Sequence, residues 1–495
     1  MQTSNLVPSR HMPRAIAFFA AGTLCACTVG PDFRAPPSTA AASYTAAPQA
    51  QQTQESPGAG GSAQHFVQAD TVGRGWWRAF ASPALDRLVQ QSLDASPTLA
   101  QADLKLAQAR HDYLAQSGGT EWPQVDASLN VTRQKLNPAA SGIGSVVGGR
   151  AFPPFTLYTG KVSVSYALDL FGANRRALEA LSAQVDYQGY ELEAARLTLA
   201  GNVVTTAVRR ASLARQIALT EDLLATRFRQ VDITEQRYQA GGVSMMDLLN
   251  QRALAEQTRA GLAPLHAQLA QADHQLAVYA GREPGQAPAG EDADPRALEL
   301  DALVLPADLP LTLPSALARQ RPDIRASEAL LHQASANLGV ATAQLYPQIT
   351  LTGSVGAEGT PLSDLVNVWS FGAGLTQPLF HGGQLHARER SAQAAYDAAA
   401  AAYRQTVLQG LQQVADALRA LEQDAVELGS RDGAQRDAHA SAEIAGHRFA
   451  AGGLSQLALL DAQRQELQTS LDRTRVQAQR LADTAALFQA LGARP

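Results

Sequence analysis

Charge is scarce in this chain. Charged residues make up 17% of its 495 positions, against about a quarter in ordinary soluble domains. The net charge of −5 lacks the basic footprint of a nucleic-acid binder, so no nucleic-acid partner is expected. Aromatics are few, at 6%. The only cysteines are Cys25 and Cys27, which leaves no disulfide framework. Catalytic signatures are missing too: there is no His-Glu-x-x-His, no Gly-x-Ser-x-Gly and no phosphate loop followed by Lys. His381 and His386 are the closest useful histidine pair, but no carboxylate or cysteine cluster joins them. The sequence therefore reads as a non-enzyme without a metal. Proline is absent from two long stretches, between Pro154 and Pro264 and between Pro378 and Pro495. Since proline costs ~3 kcal/mol inside a helix, these gaps mark where long helices run.

What is present starts with a sorting signal. Arg10 and Arg14 precede the apolar run Ala15 to Gly22, which leads into Leu24-Cys25-Ala26-Cys27. A charged n-region, a short h-region and small residues at the cut site mean export. The run is too short to stay in a bilayer, which takes ~20 residues. Either this is an ordinary signal with a chance cysteine, or it is a lipoprotein signal. Leu-x-Ala-Cys resembles a bacterial lipobox, which implies cleavage before Cys27 and a lipid on its sulfur. Thr28, in place of Asp, then favours the outer membrane by resemblance to bacterial lipoproteins. Residues 28–75 are rich in Ala, Pro, Ser, Gln, Gly and Thr, and read as an extended arm or linker. Trp76 and Trp77 open the folded part.

Leu85, Leu88, Val89 and Leu93 recur at helical spacing, and Leu99, Leu104 and Leu106 follow Pro97. This is a helix pair, or one helix broken near Ser96. The period then changes to two. Residues 124–132, 161–170, 348–355 and 369–376 alternate apolar with polar, which gives four strands of about ten residues. Their polar faces carry short Ser, Thr, Asn and Gln, and aromatics sit near the strand ends (Trp122, Tyr158, Phe171, Tyr346, Phe380). A half-buried sheet explains the pattern; so does a transmembrane barrel, whose strands need ~9–11 residues. The export signal moves the balance to the barrel. Four strands cannot close a barrel, because the smallest have about eight, and open edges cannot face lipid. The barrel is therefore expected to be shared, and three chains give twelve strands.

The chain also repeats itself. Arg237-Tyr238-Gln239-Ala240-Gly241-Gly242-Val243-Ser244 matches Arg448-Phe449-Ala450-Ala451-Gly452-Gly453-Leu454-Ser455. Leu248-Leu249-Asn250 likewise matches Leu459-Leu460-Asp461. Arg448 lies 211 residues after Arg237, and Leu460 lies 211 after Leu249. Long helices are predicted over 173–240 and 382–450, each ~100 Å at ~1.5 Å per residue. Shorter helices return over 243–282 and 454–492, with a kink or break expected at Pro264. Ile217, Leu224, Val231 and Tyr238 recur every seven residues, as do Val414, Leu421 and Leu428, which calls for coiled-coil packing. The Ala-rich run 392–402 either reflects helix propensity or lets neighbouring helices pack closely. The Pro, Asp, Glu and Gly-rich segment from Pro284 to Pro314 bridges the halves. Arg321-Pro322-Asp323-Ile324 opens the next helix.

Together these residues resemble the outer membrane factor (TolC-like) family, in the lipoprotein branch that serves resistance-nodulation-division efflux pumps. The carrying features are Cys27 to Phe33, Trp77-Arg78-Ala79-Phe80, Leu168-Asp169-Leu170-Phe171-Gly172, Arg321 to Ile324, Leu345-Tyr346-Pro347-Gln348-Ile349 and the two Gly-Gly turns. The resemblance implies a membrane α/β fold. It is a homotrimer with a twelve-stranded outer-membrane β-barrel, four strands per chain, continuing into a long periplasmic α-helical coiled-coil barrel. The expected organisation is 1–26 signal peptide, 27–75 lipidated arm, 76–283 first repeat, 284–315 equatorial segment and 316–495 second repeat. The implied function is the exit channel of a tripartite efflux system, with a periplasmic adaptor and an inner-membrane pump as partners and outer-membrane lipid around it. A type I secretion duct, or a pore-less lipoprotein spanning the periplasm, are the alternatives.

No cofactor is implied beyond a covalent lipid on Cys27. The resemblance places Leu457 and Asp461 at a periplasmic gate, where three copies of Asp461 would form an anionic ring. Read from the residues alone, Asp461 could instead cap or solvate a helix start. Gly241, Gly242, Asp247, Gly452 and Gly453 are expected at the hairpin tips where the adaptor docks. The sequence departs from secretion-type members, which latch the tip with a Tyr and an Arg; here those places hold Phe449 and Leu454, so apolar packing or other residues must close it.

Overall fold

The strands announced by the two-residue period form one antiparallel sheet. In the computed structural model, which describes residues 28–37, 43–46, 49–69, 73, 75–135, 153–286 and 294–492, the chain divides into two compact units. Cys27 lies outside the described residues.

The first unit holds the sheet. Strands β2 (Gln124–Gln134), β3 (Phe155–Leu168), β5 (Gln348–Gly359) and β6 (Leu365–Thr376) pair in the order β2-β3-β5-β6. The register carries the sequence alternation across the whole sheet. Val125 faces Val164, Val164 faces Gly353, and Gly353 faces Phe371. One residue along, Asp126, Ser163, Ser354 and Ser370 line up on the opposite face. One face is thus apolar and one polar on every strand. The apolar face is bare in the single chain: Leu129 is 89% exposed, Trp369 80% and Phe371 78%. β2 and β6 are the edges. Among the described residues no helix is long and apolar enough to cross a membrane.

The second unit is helical, and the helices after the first have residues in both units where their ranges cross Leu106, Asp186, Ser327 or Ala401. α1 (Pro83–Ala95) and α2 (Pro97–Glu121) are separate helices that part at Ser96, as proline at the start of a helix dictates. α3 (Ala173–Gln239) and α7 (Gln384–Ala450) have 67 residues each. α4 (Met245–Tyr279) and α8 (Gln456–Ala490) have 35 each. Each boundary of the second pair lies 211 residues after its counterpart. The second heptad marks a buried seam, with Val414, Leu421 and Leu428 fully buried; in the first, Ile217 and Val231 are nearly so, Leu224 is half-buried and Tyr238 is exposed. Most of the run 392–402 is exposed in the single chain. Pro264 does not break α4. It sits on an exposed turn beside Ala260 and Gly261, where water can take the carbonyl freed by the missing N–H.

The main core lies in this helical unit. Trp76, Trp77 and Phe80 form a short 3-10 helix, Trp76 stacks on Phe488 at 5.3 Å, and the Trp77 indole donates to Asp86 at 2.7 Å. The Pro284–Pro314 segment contributes two 3-10 turns and β4 (Asp308–Leu311), which pairs in parallel with β1 (His65–Gln68). After α5 (Pro314–Gln320), the Arg-Pro-Asp motif is more than a helix start. Arg321, buried ahead of α6 (Pro322–Ala343), binds Asp323 and donates to the carbonyls of Gly410 and Ala490 and to Gln413. One guanidinium thus ties α6, α7 and the end of α8.

The arm differs from its compositional reading. Thr53, Ser56 and Gln64 are buried. Arg480, fully buried, donates to the carbonyls of Gly60 and Ser62 and to Thr53. Arg473 bridges Asp432 and the Ala59 carbonyl. A segment too polar to make a core can still be held this way, because buried arginines need several acceptors and extended backbone supplies them.

Candidate functional site

The Gly-Gly turns close two helical hairpins, and their geometry separates the two glycines. At the end of α3, Gly241 N–H donates to the Tyr238 carbonyl at 2.9 Å and Gly242 N–H to the Arg237 carbonyl at 2.7 Å. At the end of α7, Gly452 bonds to Phe449 at 2.9 Å and Gly453 to Arg448 at 2.8 Å. These paired bonds are the helix-ending motif that needs a left-handed residue at its first glycine. Gly241 has φ +77° and Gly452 φ +73°, whereas Gly242 and Gly453 have no such φ. The first glycine of each pair is therefore the conformationally required one.

The returning helices start differently. Ser244 accepts from Asp247 N–H, and Asp247 accepts from Ser244 N–H at 3.0 Å, a reciprocal capping box. The two Ser244 hydrogen bonds, side chain first, hold the Asp247 carboxyl below its ordinary range. Ser455 caps α8 through Ala458 N–H, with no acid to answer it. The cap of α8 is thus Ser455, not Asp461.

Asp461 lies six residues further on, exposed, and faces a polar group that sequence reasoning missed. Its Oδ1 is 3.4 Å from Gln230 Nε2 on α3 and 3.5 Å from Arg464 Nε. Gln230 is buried, and neither its Oε1 nor the Nε of nearby Arg227 finds a partner. Burial, and then the like charge of Arg464, hold the Arg227 guanidinium below its usual value, while Asp461 acts the other way. Two arginines, one carboxylate and a half-satisfied glutamine are thus gathered between α3 and α8. No sequence signal marks it, because Gln230 and Asp461 are 231 positions apart. Leu457 is partly exposed on the first turn of α8, and its neighbour Leu460 is buried. Phe449 is 39% exposed, and the Gln230–Asp461 contact joins α3 to α8 near it in the sequence.

The first hairpin presents apolar side chains instead. Met246 is 68% exposed and Leu249 54%, with Met245 and Tyr238 beside them in sequence also exposed. Among the described residues no group of three His, Cys, Asp or Glu is gathered to hold a metal.

A family model described as outer membrane efflux protein matches the chain twice, over residues 88–282 and 313–493. The chain is 30% identical over 491 residues to the outer membrane protein OprJ of Pseudomonas aeruginosa, covering 96% of this chain and 95% of that one. It is 29% identical over 421 residues to the pyoverdine export outer membrane protein OpmQ of Pseudomonas putida, covering 84% and 87%. Among solved structures it is similar to the outer-membrane channel OprN, with a TM-score of 0.79 at 28% identity over 94% of this chain and 99% of that one.

Proposed function

The chain belongs to the outer membrane efflux protein family, and we propose on that footing how it works as the exit channel of a tripartite efflux system. Three chains assemble. Their four-stranded sheets make the twelve-stranded outer-membrane barrel, and their helices make the periplasmic α-barrel. The observation that carries this reading is a sheet with two open edges and a bare apolar face on the same chain as two matched 67-residue helices. Lipid covers the apolar face, and neighbouring copies cover the edges. The name of OpmQ states pyoverdine export for that protein, and drugs or other small molecules are the cargo class assigned here.

Asp461 and Leu457 form the periplasmic gate. Three Asp461 side chains around the axis favour cations and resist anions, and Gln230, Arg227 and Arg464 hold each one in place. Opening breaks the Gln230–Asp461 bridge. The tips marked by Gly241, Gly242, Asp247, Gly452 and Gly453 receive the adaptor. The exposed Met246 and Leu249 favour the first hairpin for that contact. The inner-membrane pump stands behind the adaptor. The sulfur of Cys27 carries the lipid that anchors the chain.

Single-channel recording in planar bilayers tests the conduit. Small, cation-preferring currents are expected, rising in the double variant Asp461→Ala, Leu457→Ala. Silence in that variant, with folded trimer present, would leave only the pore-less scaffold. Cys27→Ser is expected to abolish palmitate labelling; retained label refutes the lipid site.

A further inference from the structure

Residues 28–33, which follow Cys27, are held in the sheet-bearing unit by a built cleft. Arg176, at the start of α3, is 6% exposed. Its Nη2 donates to Asp32 Oδ1 at 2.7 Å and to the Gly30 carbonyl at 3.3 Å. Nε donates to the Val29 carbonyl at 3.4 Å, and Nη1 to Glu179 Oε2 at 2.7 Å. The other Glu179 oxygen lies 2.8 Å from His332 Nε2, and the His332 ring stacks on Phe33 at 4.3 Å. Gly30 has φ +94° and comes so close to α6 that a Cβ there would sit 2.5 Å from the Gly339 Cα. Val29 N–H donates to the Phe171 carbonyl at 3.1 Å. Thr28 packs so tightly on Gly172 that a Cβ on that glycine would lie 2.6 Å from the Thr28 methyl.

A plain tether needs none of this. Ordering each residue costs conformational entropy, and a guanidinium buried among four acceptors from two segments is specific recognition. The cleft also has a defined level. Leu168 at the end of β3 pairs with Ile349 at the start of β5. Just beyond them, Phe171 and Tyr346 stack at 5.0 Å, as aromatic rings do at the water interface of a membrane barrel. Thr28, packed against Gly172, is held at this level.

We propose that the Arg176 cleft is a docking site for the chain's own acylated N-terminus, which fixes the point where the acyl chains enter the membrane to the interfacial rings at the end of the sheet. Arg176 and Gly339 are positioning residues. The inference rests on the lipidation of Cys27 for what is positioned, but the docking of 28–33 does not.

The test uses the full-length protein, expressed in a Gram-negative host and purified as trimer. Hydrogen exchange followed by mass spectrometry reads the peptide spanning residues 28–34. The intact mass of the N-terminal peptide reads the acyl group, and pulse-chase reads the rate of forming SDS-resistant trimer. Slow exchange at Val29 is expected in wild type and in Cys27→Ser alike. Arg176→Met and Gly339→Leu should each raise it about tenfold or more, keep the acyl mass and slow trimer formation severalfold. Arg176→Lys should restore part of both. If either variant fails to fold, Asp32→Ala, which alters only the docked segment, takes its place with a smaller effect. Equal exchange at Val29 in wild type and Arg176→Met overturns the docking. Unchanged trimer formation with the segment released overturns its positioning role. An absent acyl mass in wild type refutes the lipid reading alone, and slow Val29 exchange in that protein still upholds the docking site.

Discussion

In the first hairpin Ser244 and Asp247 cap α4 reciprocally; in the second, Ser455 caps α8 alone because Ala458 stands at the place of Asp247. The first buries Leu248 and exposes Leu249, whereas the second buries Leu460, the counterpart of Leu249. A one-residue change of buried position turns a helix by about 100°, so equivalent residues face different neighbours. Gln230 and Arg227 on α3 meet Asp461 and Arg464 on α8. At the corresponding places the other helices carry Ser441, Ala438, Asn250 and Ala253. The turn has thus been kept in both copies, while the carboxylate that meets Gln230 stands only in the second, as Asp461. Backbone geometry constrains the turn equally in both hairpins; nothing in the backbone constrains which one bears the carboxylate.

The sharpest way to break this comparison is at the carboxylate. Asp461→Ala is expected to raise resting conductance and lower cation preference by about an order of magnitude. Asn250→Ala should leave both nearly unchanged. Equal effects in bilayer recordings would dissolve the distinction between the copies. Next come the glycines. Gly241→Ala and Gly452→Ala force alanine into the left-handed region at ~1–2 kcal/mol each. Gly242→Ala and Gly453→Ala should cost less than about half of that. Exchange rates of the tip amides measure the difference, and a larger loss at the second glycine would contradict the turn geometry.

The caps give a smaller contrast. Ser244→Ala removes both halves of the capping box and is expected to cost ~1–2 kcal/mol, against ~1 for Ser455→Ala, read as opening of the first turn of each helix by hydrogen exchange. The smallest effect is on pH, and it has opposite signs in the two hairpins. His439 on α7 bonds Glu466 on α8, and that hydrogen bond, with the charges of Glu466 and Glu443, raises its pKa above 6.5. A raised folded pKa means the clasp is complete below about pH 6.5 and is lost as pH climbs through the raised value. Asp247 is depressed below 3.8, so its contribution is complete above that value and is lost as pH falls through the lower one. Between pH 6 and 8, exchange should therefore quicken a few-fold at most in the second hairpin and stay level in the first. His439→Gln should abolish the response.

The repeat, the two-residue period and the proline gaps carried the architecture, because each depends on local spacing. Helices predicted over 173–240 and 382–450 appear as Ala173–Gln239 and Gln384–Ala450. All four strands appear and are longer than expected, although the second ends at Leu168 rather than Leu170. The arm departs from its composition in one respect: it has no core of its own among the described residues, yet Arg473 and Arg480 hold it by its carbonyls. Such bonds use backbone atoms that every residue shares, so the arm's own side chains do not signal them. At the tip, Asp461 was legible from its place in the repeat, and Gln230 was not.

By itself the sequence determined the number and kind of elements, their pairing by repeat and the two faces of the sheet. These follow from periodicity, from proline's missing N–H and from glycine's access to positive φ. Only the tertiary structure decided which member of each Leu-Leu pair is buried, which helix meets Asp461, and that Arg176 grips residues 29–32. Each of those contacts joins positions far apart in the chain, where partner choice depends on how packed helices are rotated against one another rather than on any local pattern.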